Sequence, residues 1–199
     1  GVEVLAPNVL ISSNDIDDIA DGWGIAVTHA DARRYNIVGN RIQDLSLVTV
    51  PALYGIYVTA GDGIIANNVI DDADLNYGIC VEYNAGAPIA NISIEGNNIT
   101  GDGGIALMNK AAGTNISDCS VRGNHIYGVG GNEGIFVQAS VVNAILVDVS
   151  IEGNHIRTGG NGAAISSASA TQRCERCVIM NNCFYSVGGG TKAFVISAS

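Results

Sequence analysis

An asparagine returns along this chain at nearly constant spacing, at Asn14, Asn40, Asn67, Asn97, Asn124, Asn154 and Asn182. The intervals run 26, 27, 30, 27, 30 and 28 residues. Two positions after each asparagine stands an apolar residue: Ile16, Ile42, Val69, Ile99, Ile126, Ile156 or Phe184. A second apolar pair then follows, Ile25/Val27, Ile56/Val58, Ile79/Val81, Ile105/Leu107 and Ile135/Val137, with Ile165/Ser167 and Phe194/Ile196 as weaker versions. The first five pairs come directly after a glycine. Within a copy such as 91–107, apolar and polar residues alternate, which is the period of a half-buried strand. A fixed repeat of this length, built of short strands and turns, predicts stacked coils in which each copy buries its apolar face against its neighbours.

The pattern apolar-x-apolar-x-x-Asn-x-apolar, a variable loop, then Gly-Ile-x-Val resembles the right-handed parallel β-helix repeat of the pectin-lyase-like superfamily. The resemblance covers essentially all 199 residues. It implies an all-β, right-handed parallel β-helix of about seven coils with three short strands each. Residues 1–199 then form a single domain, and the apolar pattern running to both ends points to a segment of a longer chain. The superfamily includes lyases, hydrolases, epimerases, adhesins and phage tailspikes, so the fold alone sets no activity. Asp-Asp with a downstream Gly-His-Gly, Arg-x-Pro-x-x-Arg and Asp-Pro-His-Glu are all missing from the sequence. That disfavours polygalacturonases, pectate lyases and alginate epimerases. Tailspikes share few motifs with one another and remain compatible.

Charge narrows the partners. The net charge is −10 and no basic cluster interrupts it, which argues against nucleic acid and anionic membrane surfaces. No apolar run is long enough to span a bilayer. The five cysteines are an odd number for a disulfide framework. Cys119 and Cys177 align with Val149 at an inward position and read as core thiols. Cys174-x-x-Cys177 lacks the second pair that a zinc site requires. The Asn-x-Ser/Thr triplets at Asn91, Asn98 and Asn115 are products of the repeat.

Parallel strands stack about 4.8 Å apart, so equal repeat positions become vertical columns. The turn asparagines form a structural ladder, suited to left-handed turns and to amide pairing between coils. His125 and His155 become neighbours. Asp18, Asp44 and Asp71 occupy another column, with Asp17, Asp21, Asp72 and Asp74 nearby. They read as turn caps, as ligands of a bound Ca²⁺, or as catalytic acids. Trp23, Tyr54 and Tyr77 precede the glycine. Strict alternation turns these rings inward, whereas a bend at the glycine turns them out as a sugar-stacking surface.

In enzymes of the resembling superfamily, the outer face of the Gly-Ile-x-Val strand and its flanking loops form the substrate groove. Here that face carries Tyr57, Phe136 and Glu82, with Tyr83 and Lys110 just beyond. Glu82 is the candidate acid, with Asp62 or Asp102 as its partner. Tyr57, Tyr83, Phe136 and Lys110 are candidate substrate contacts. Glycoside hydrolysis needs two carboxyl groups roughly 5–10 Å apart. A lyase would instead use Lys110 against a uronate. The expected partner is a bacterial surface polysaccharide, recognised with or without cleavage, and no organic cofactor is implied. The setting is a phage tail or another extracellular protein, with a homotrimeric parent by resemblance. The alternative is a non-catalytic shaft or adhesin.

Overall fold

The structure, a computed structural model, describes residues 1–20, 22–29, 31–46, 53–71, 75–83, 88–128, 130–167, 171–186 and 192–198. Among these residues there is no helix, and the strands form a parallel β-solenoid of about six turns with three sheets. Sheet I stacks eight strands: Val2–Val4, Trp23–Val27, Tyr54–Val58, Tyr77–Tyr83, Ile105–Asn109, Ile135–Ala139, Ala163–Ser167 and Phe194–Ala198. Sheet II runs from Leu10–Ser12 through Tyr35–Val38, Gly63–Ala66, Ile89–Glu95, Asn115–Arg122 and Ile145–Glu152 to Arg173–Glu175. Sheet III runs from Asp15–Ile16 through Arg41–Gln43, Val69–Asp71, Asn98–Gly101, His125–Gly128 and His155–Thr158 to Cys183–Ser186. The expected fold is the observed one.

Its stability comes from columns of like residues. In sheet I, Ile25, Ile56, Ile79, Ile105 and Ile135 are in register and fully buried. In sheet III the matching column is Ile42, Ile70, Ile99, Ile126 and Ile156. β-Branched side chains suit such positions because their stiff rotamers pack along a pleated surface. Each buried isoleucine contributes about 1.5–3 kcal/mol by leaving water.

The glycine before each sheet I isoleucine has a steric cause. A Cβ on Gly24, Gly55, Gly78, Gly104 or Gly134 would collide with Ile42, Ile70, Ile99, Ile126 or Ile156 respectively. Glycine and isoleucine therefore both point inward, and strict alternation breaks at that place. The residue before the glycine is thrown to the outside. Trp23, Tyr54 and Tyr77 face outward, against the inward stack that alternation favours.

The asparagine ladder departs from the expected register in one coil. In the third coil the rung is Asn68, not Asn67. Asn40 Nδ2 donates to Asn68 Oδ1 at 3.0 Å, and Asn68 Nδ2 donates to Asn97 Oδ1 at 2.9 Å. Asn67 instead takes the left-handed conformation, with φ 55°. The same position is left-handed in other coils, at Ser13, Gly39, Gly96, Gly123, Gly153 and Asn181. The sharp turn thus belongs to the residue before the ladder. The ladder asparagines face inward, and those at positions 40, 68, 97, 124 and 154 are buried. Each of these five donates to the next rung's Oδ1 and to a backbone carbonyl of the coil before, as Asn97 Nδ2 does to Asn124 Oδ1 at 3.0 Å and to Ile65 O at 2.9 Å.

A second left-handed column bends sheet II: Asn8, Arg34, Asp62, Asn91, Asp118, Asp148 and Arg176. The bend lets Ile89 and Ile92, or Leu146 and Val149, face the core three residues apart. Cys119 joins this buried column in register with Ile92 and Val149, as expected, and Cys177 packs partly buried against the same core. Tyr35 is fully buried beside Gly63, where a Cβ would fall within its ring. The Tyr35 hydroxyl donates to Ala60 O at 3.2 Å.

Candidate functional site on the outer faces

The outside of sheet I carries an apolar cluster separate from the core. Tyr57, Cys80, Ala106 and Met108 are buried in it, and Trp23, Tyr54, Tyr77 and Phe136 are partly buried around them. The Tyr57 ring stacks on Trp23 at 4.8 Å and on Tyr54 at 5.3 Å, with interplanar angles of 20° and 10°. Tyr54 and Tyr57 belong to one strand and Trp23 to its neighbour, so Tyr57 lies back between the other two rings in a three-ring stack on the first coils. Further along, Tyr77 and Phe136 lie parallel with centroids 6.2 Å apart. Small residues make room for this pair. Tyr77 leans over Gly103, where a Cβ would meet its ring, and Ala106 stands in register with Phe136. The Tyr77 hydroxyl reaches Glu133 Oε2 at 3.4 Å. Trp23 Nε1 is buried with no acceptor among the described residues.

Glu82 lies at one end of the cluster. Its side chain is 8% exposed and accepts from Lys110 Nζ at 2.7 Å and from the Tyr57 hydroxyl at 3.3 Å. The carboxylate is enclosed while the Lys110 side chain keeps 39% of its surface in water, so the short charge-assisted bond fixes the Glu82 end of the pair. Burial pushes the Cys80 thiol far above its ordinary range, with the Glu82 charge adding to the effect. Burial likewise raises the Tyr54 and Tyr77 phenols, so neither serves as a base near neutral pH.

The candidate acids do not gather around Glu82. Asp102 precedes its strand by three residues, and its register position lies six residues upstream of that of Glu82, roughly 20 Å at about 3.3 Å per residue. It lies instead beside Gly130. Asp62 sits at the bend into sheet II, where it accepts from Asn91 Nδ2 at 2.8 Å and pairs with Arg33 at 3.4 Å. Tyr83 is buried in the main core at 2% exposure, so it offers no ring to a ligand on the outer face. Tyr57, Lys110 and Glu82 do come together, and Phe136 stands in the register column of Tyr57 three strands on, beyond Cys80 and Ala106.

The aspartate column also separates. Asp71 is in register with Gln43, one position short of the level of Asp44. Asp21, Asp72 and Asp74 lie outside the described residues. Asp18 and Asp44 are exposed and left-handed, with φ 52° and 50°. Among the described residues no group of three His, Cys, Asp or Glu side chains is placed to hold a metal ion. His125 and His155 are neighbours as expected, with centroids 5.5 Å apart and their rings tilted by 35°.

Two further surfaces were not apparent from the repeat. A shallow groove of about 360 Å³ crosses the outside of sheet II, lined by Arg34, Asn36, Asp62, Ile64, Asn91, Ser93, Asp118 and Ser120. On sheet III the Arg157 guanidinium lies over the Tyr127 ring at 4.8 Å and over Tyr185 at 5.3 Å. These three residues each stand three positions past a ladder asparagine, a column the pattern displays once it is aligned.

A family model described as the right-handed beta helix region matches residues 23–197. No curated protein and no solved structure matches the chain.

Proposed function

We propose, for a chain that belongs to the right-handed β-helix family, that the outside of sheet I binds a polysaccharide without cleaving it. The fold is that of a polysaccharide-related or structural β-helix domain. The observation that carries the reading is the aromatic cluster itself. Trp23, Tyr54, Tyr77 and Phe136 are hydrophobic rings on an outer face that keep part of their surface in water. Rings in that position offer apolar surface to the C–H faces of sugars, and Lys110 and Glu133 at the margins offer charged hydrogen-bond partners to hydroxyls. Cleavage is disfavoured because a hydrolytic pair needs a second carboxyl within about 10 Å of the first. Asp102 and Asp62 are placed elsewhere, and Glu133 is five register positions and two coils from Glu82. Glu82 itself is engaged by Lys110.

The partner this reading implies is a bacterial surface polysaccharide, met outside the cell by a phage tailspike or a similar extracellular protein, trimeric as tailspikes are. The test is calorimetric titration of the protein with capsule or O-antigen fragments from candidate hosts. Trp23→Ala and Phe136→Ala should each weaken binding about tenfold, since a stacking ring is worth on the order of 1–1.5 kcal/mol beyond its buried area. New reducing ends should not appear. Binding that survives both substitutions would refute the assignment to this face, and release of oligosaccharides would refute the non-catalytic reading. A structural shaft is the second reading, favoured by the way Tyr57 spends both ring faces on its neighbours. It expects those variants to lose stability with no glycan bound by the wild type.

A further inference from the structure

We propose that the outer face of sheet III near the C-terminal coils is a second saccharide site, selective for sugars bearing an anionic group. The proposal rests on the saccharide-binding reading of the fold but uses a different face and different residues.

Arg157 is the centre of it. Acids outnumber Lys and Arg by 19 to 9, and six of the nine cations have a carboxylate within 4.0 Å. Arg33, Arg41, Lys110, Arg122, Arg173 and Arg176 each pair with one. Arg157 does not, among the described residues. Its guanidinium lies between the Tyr127 and Tyr185 rings, which are in register with it on the strands either side. Stacking occupies the faces of the guanidinium plane and leaves its N–H edge for a ligand. That edge is a rigid fork matched to carboxylate, sulfate or phosphate oxygens. Tyr127 and Tyr185 are 40% and 59% exposed, so each also presents ring surface to a pyranose.

The neighbouring column extends the same chemistry. His125 and His155 stand two residues before Tyr127 and Arg157 on the same outward face, about 7 Å along the strand. Both rings are exposed and supply further N–H donors. Lys192 lines a small cavity of about 90 Å³ next to Tyr185, with Thr158 and Gly160. The acidic residues of the sheet III strands, Asp15 and Asp71, lie among its first three strands, where Arg41 pairs with Asp15. The face is therefore polarised along the axis, and its cationic aromatic end accepts an oxyanion held on a sugar ring.

The test is titration of the protein with three trisaccharides: an oligouronate, the neutral methyl ester of the same oligouronate, and a sulfated analogue. Binding of at least one anionic probe, tenfold or more tighter than the ester, is the expected result. A preference for the uronide over the sulfated analogue identifies carboxylate as the group; the reverse identifies sulfate. Arg157→Gln should abolish the difference between acid and ester. Arg157→Lys, which keeps the charge and loses the fork, should retain less than a third of the affinity. Trp23→Ala should leave the anionic preference unchanged. Equal binding of acid and ester, or full selectivity in Arg157→Gln, overturns the proposal. In that event, ester or neutral-glycan binding lost in Trp23→Ala would still uphold the sheet I reading, and absence of any glycan binding overturns both. Unchanged thermal unfolding of the Arg157 variants would show that the effect is on the ligand and not on the fold.

Discussion

Replacing Asn97 by alanine tests what the buried ladder contributes. Asn97 is 1% exposed. Its Oδ1 accepts from the Asn68 backbone N–H at 3.0 Å and from Asn68 Nδ2 at 2.9 Å. Its Nδ2 donates to Ile65 O at 2.9 Å and to Asn124 Oδ1 at 3.0 Å. Alanine removes all four bonds. Asn124 Oδ1 keeps the Asn97 backbone N–H, and Asn68 Nδ2 keeps Ile37 O. The Asn68 N–H loses its acceptor and Ile65 O loses a donor, both out of reach of water. Each such group costs about 1–3 kcal/mol, and the lost amide leaves a small void, so the loss should be about 3–5 kcal/mol. At about 3 °C per kcal/mol for a domain of this size, the melting temperature should fall by about 10 °C. The assay is urea and thermal unfolding followed by circular dichroism. Asn98→Ala is the control, because that side chain is exposed one residue away and should change stability by no more than about 0.5 kcal/mol. Equal midpoints for the two variants would refute the ladder as a principal source of stability.

Other outcomes follow from particular contacts. Gly63→Ala should destabilise by at least about 2 kcal/mol because its Cβ would enter the Tyr35 ring; Tyr35→Leu in the same chain should recover much of the loss, and a double-mutant cycle that shows simple additivity would count against the contact. Cys183, which is exposed, should react with an aromatic disulfide reagent in the native state, while Cys80 and Cys119, the latter with its thiol pushed up to about 12 by burial, should react only on unfolding. Hydrogen bonds from Arg176 hold the Asp148 carboxyl below the usual carboxylate range. Its pairing is complete above the unfolded value and is lost as pH falls through the lower folded one. An NMR titration should place Asp148 below exposed aspartates, and Arg176→Gly should return it to them; an unmoved midpoint would dismiss the pairing. Chelator and added Ca²⁺ should leave the melting temperature unchanged, and a Ca²⁺-dependent rise abolished by Asp44→Asn would restore the aspartate column as a metal site.

The solenoid was legible because its period is carried by residues whose spacing cannot drift without breaking a column. Finer placement failed where two readings of the same letters differ by one residue. At Asn67-Asn68 the pair is ambiguous by itself, yet the inward isoleucine stands three residues before each rung, as Ile94 does before Asn97 and Ile37 before Asn40. Ile65 would have selected Asn68 by the same rule, and Ile70 in place of Val69 as the inward residue. The error carried forward, because it put Asp71 in the wrong column. The outward rings were harder to foresee. Alternation fails at Gly24 and its equivalents because of an isoleucine on another sheet, a relation that no local pattern contains. Pairing Glu82 with Asp62 or Asp102 relied on coil adjacency and ignored distance along the strand.

The amides of the ladder all point the same way. Asn14 donates to Asn40, Asn40 to Asn68, and so on to Asn182, with an oxygen accepting at every step. Such a chain has a sense as well as a length, and each bond polarises the next. The column ends on an amide oxygen at Asn14 and on an amide nitrogen at Asn182, the latter donating to Ile151 O and Met180 O. Two copies brought together about a two-fold axis would oppose like with like at this column, whereas copies stacked head to tail would continue it. The ladder thus acts as a vector, and it favours translation over inversion in anything that extends the stack.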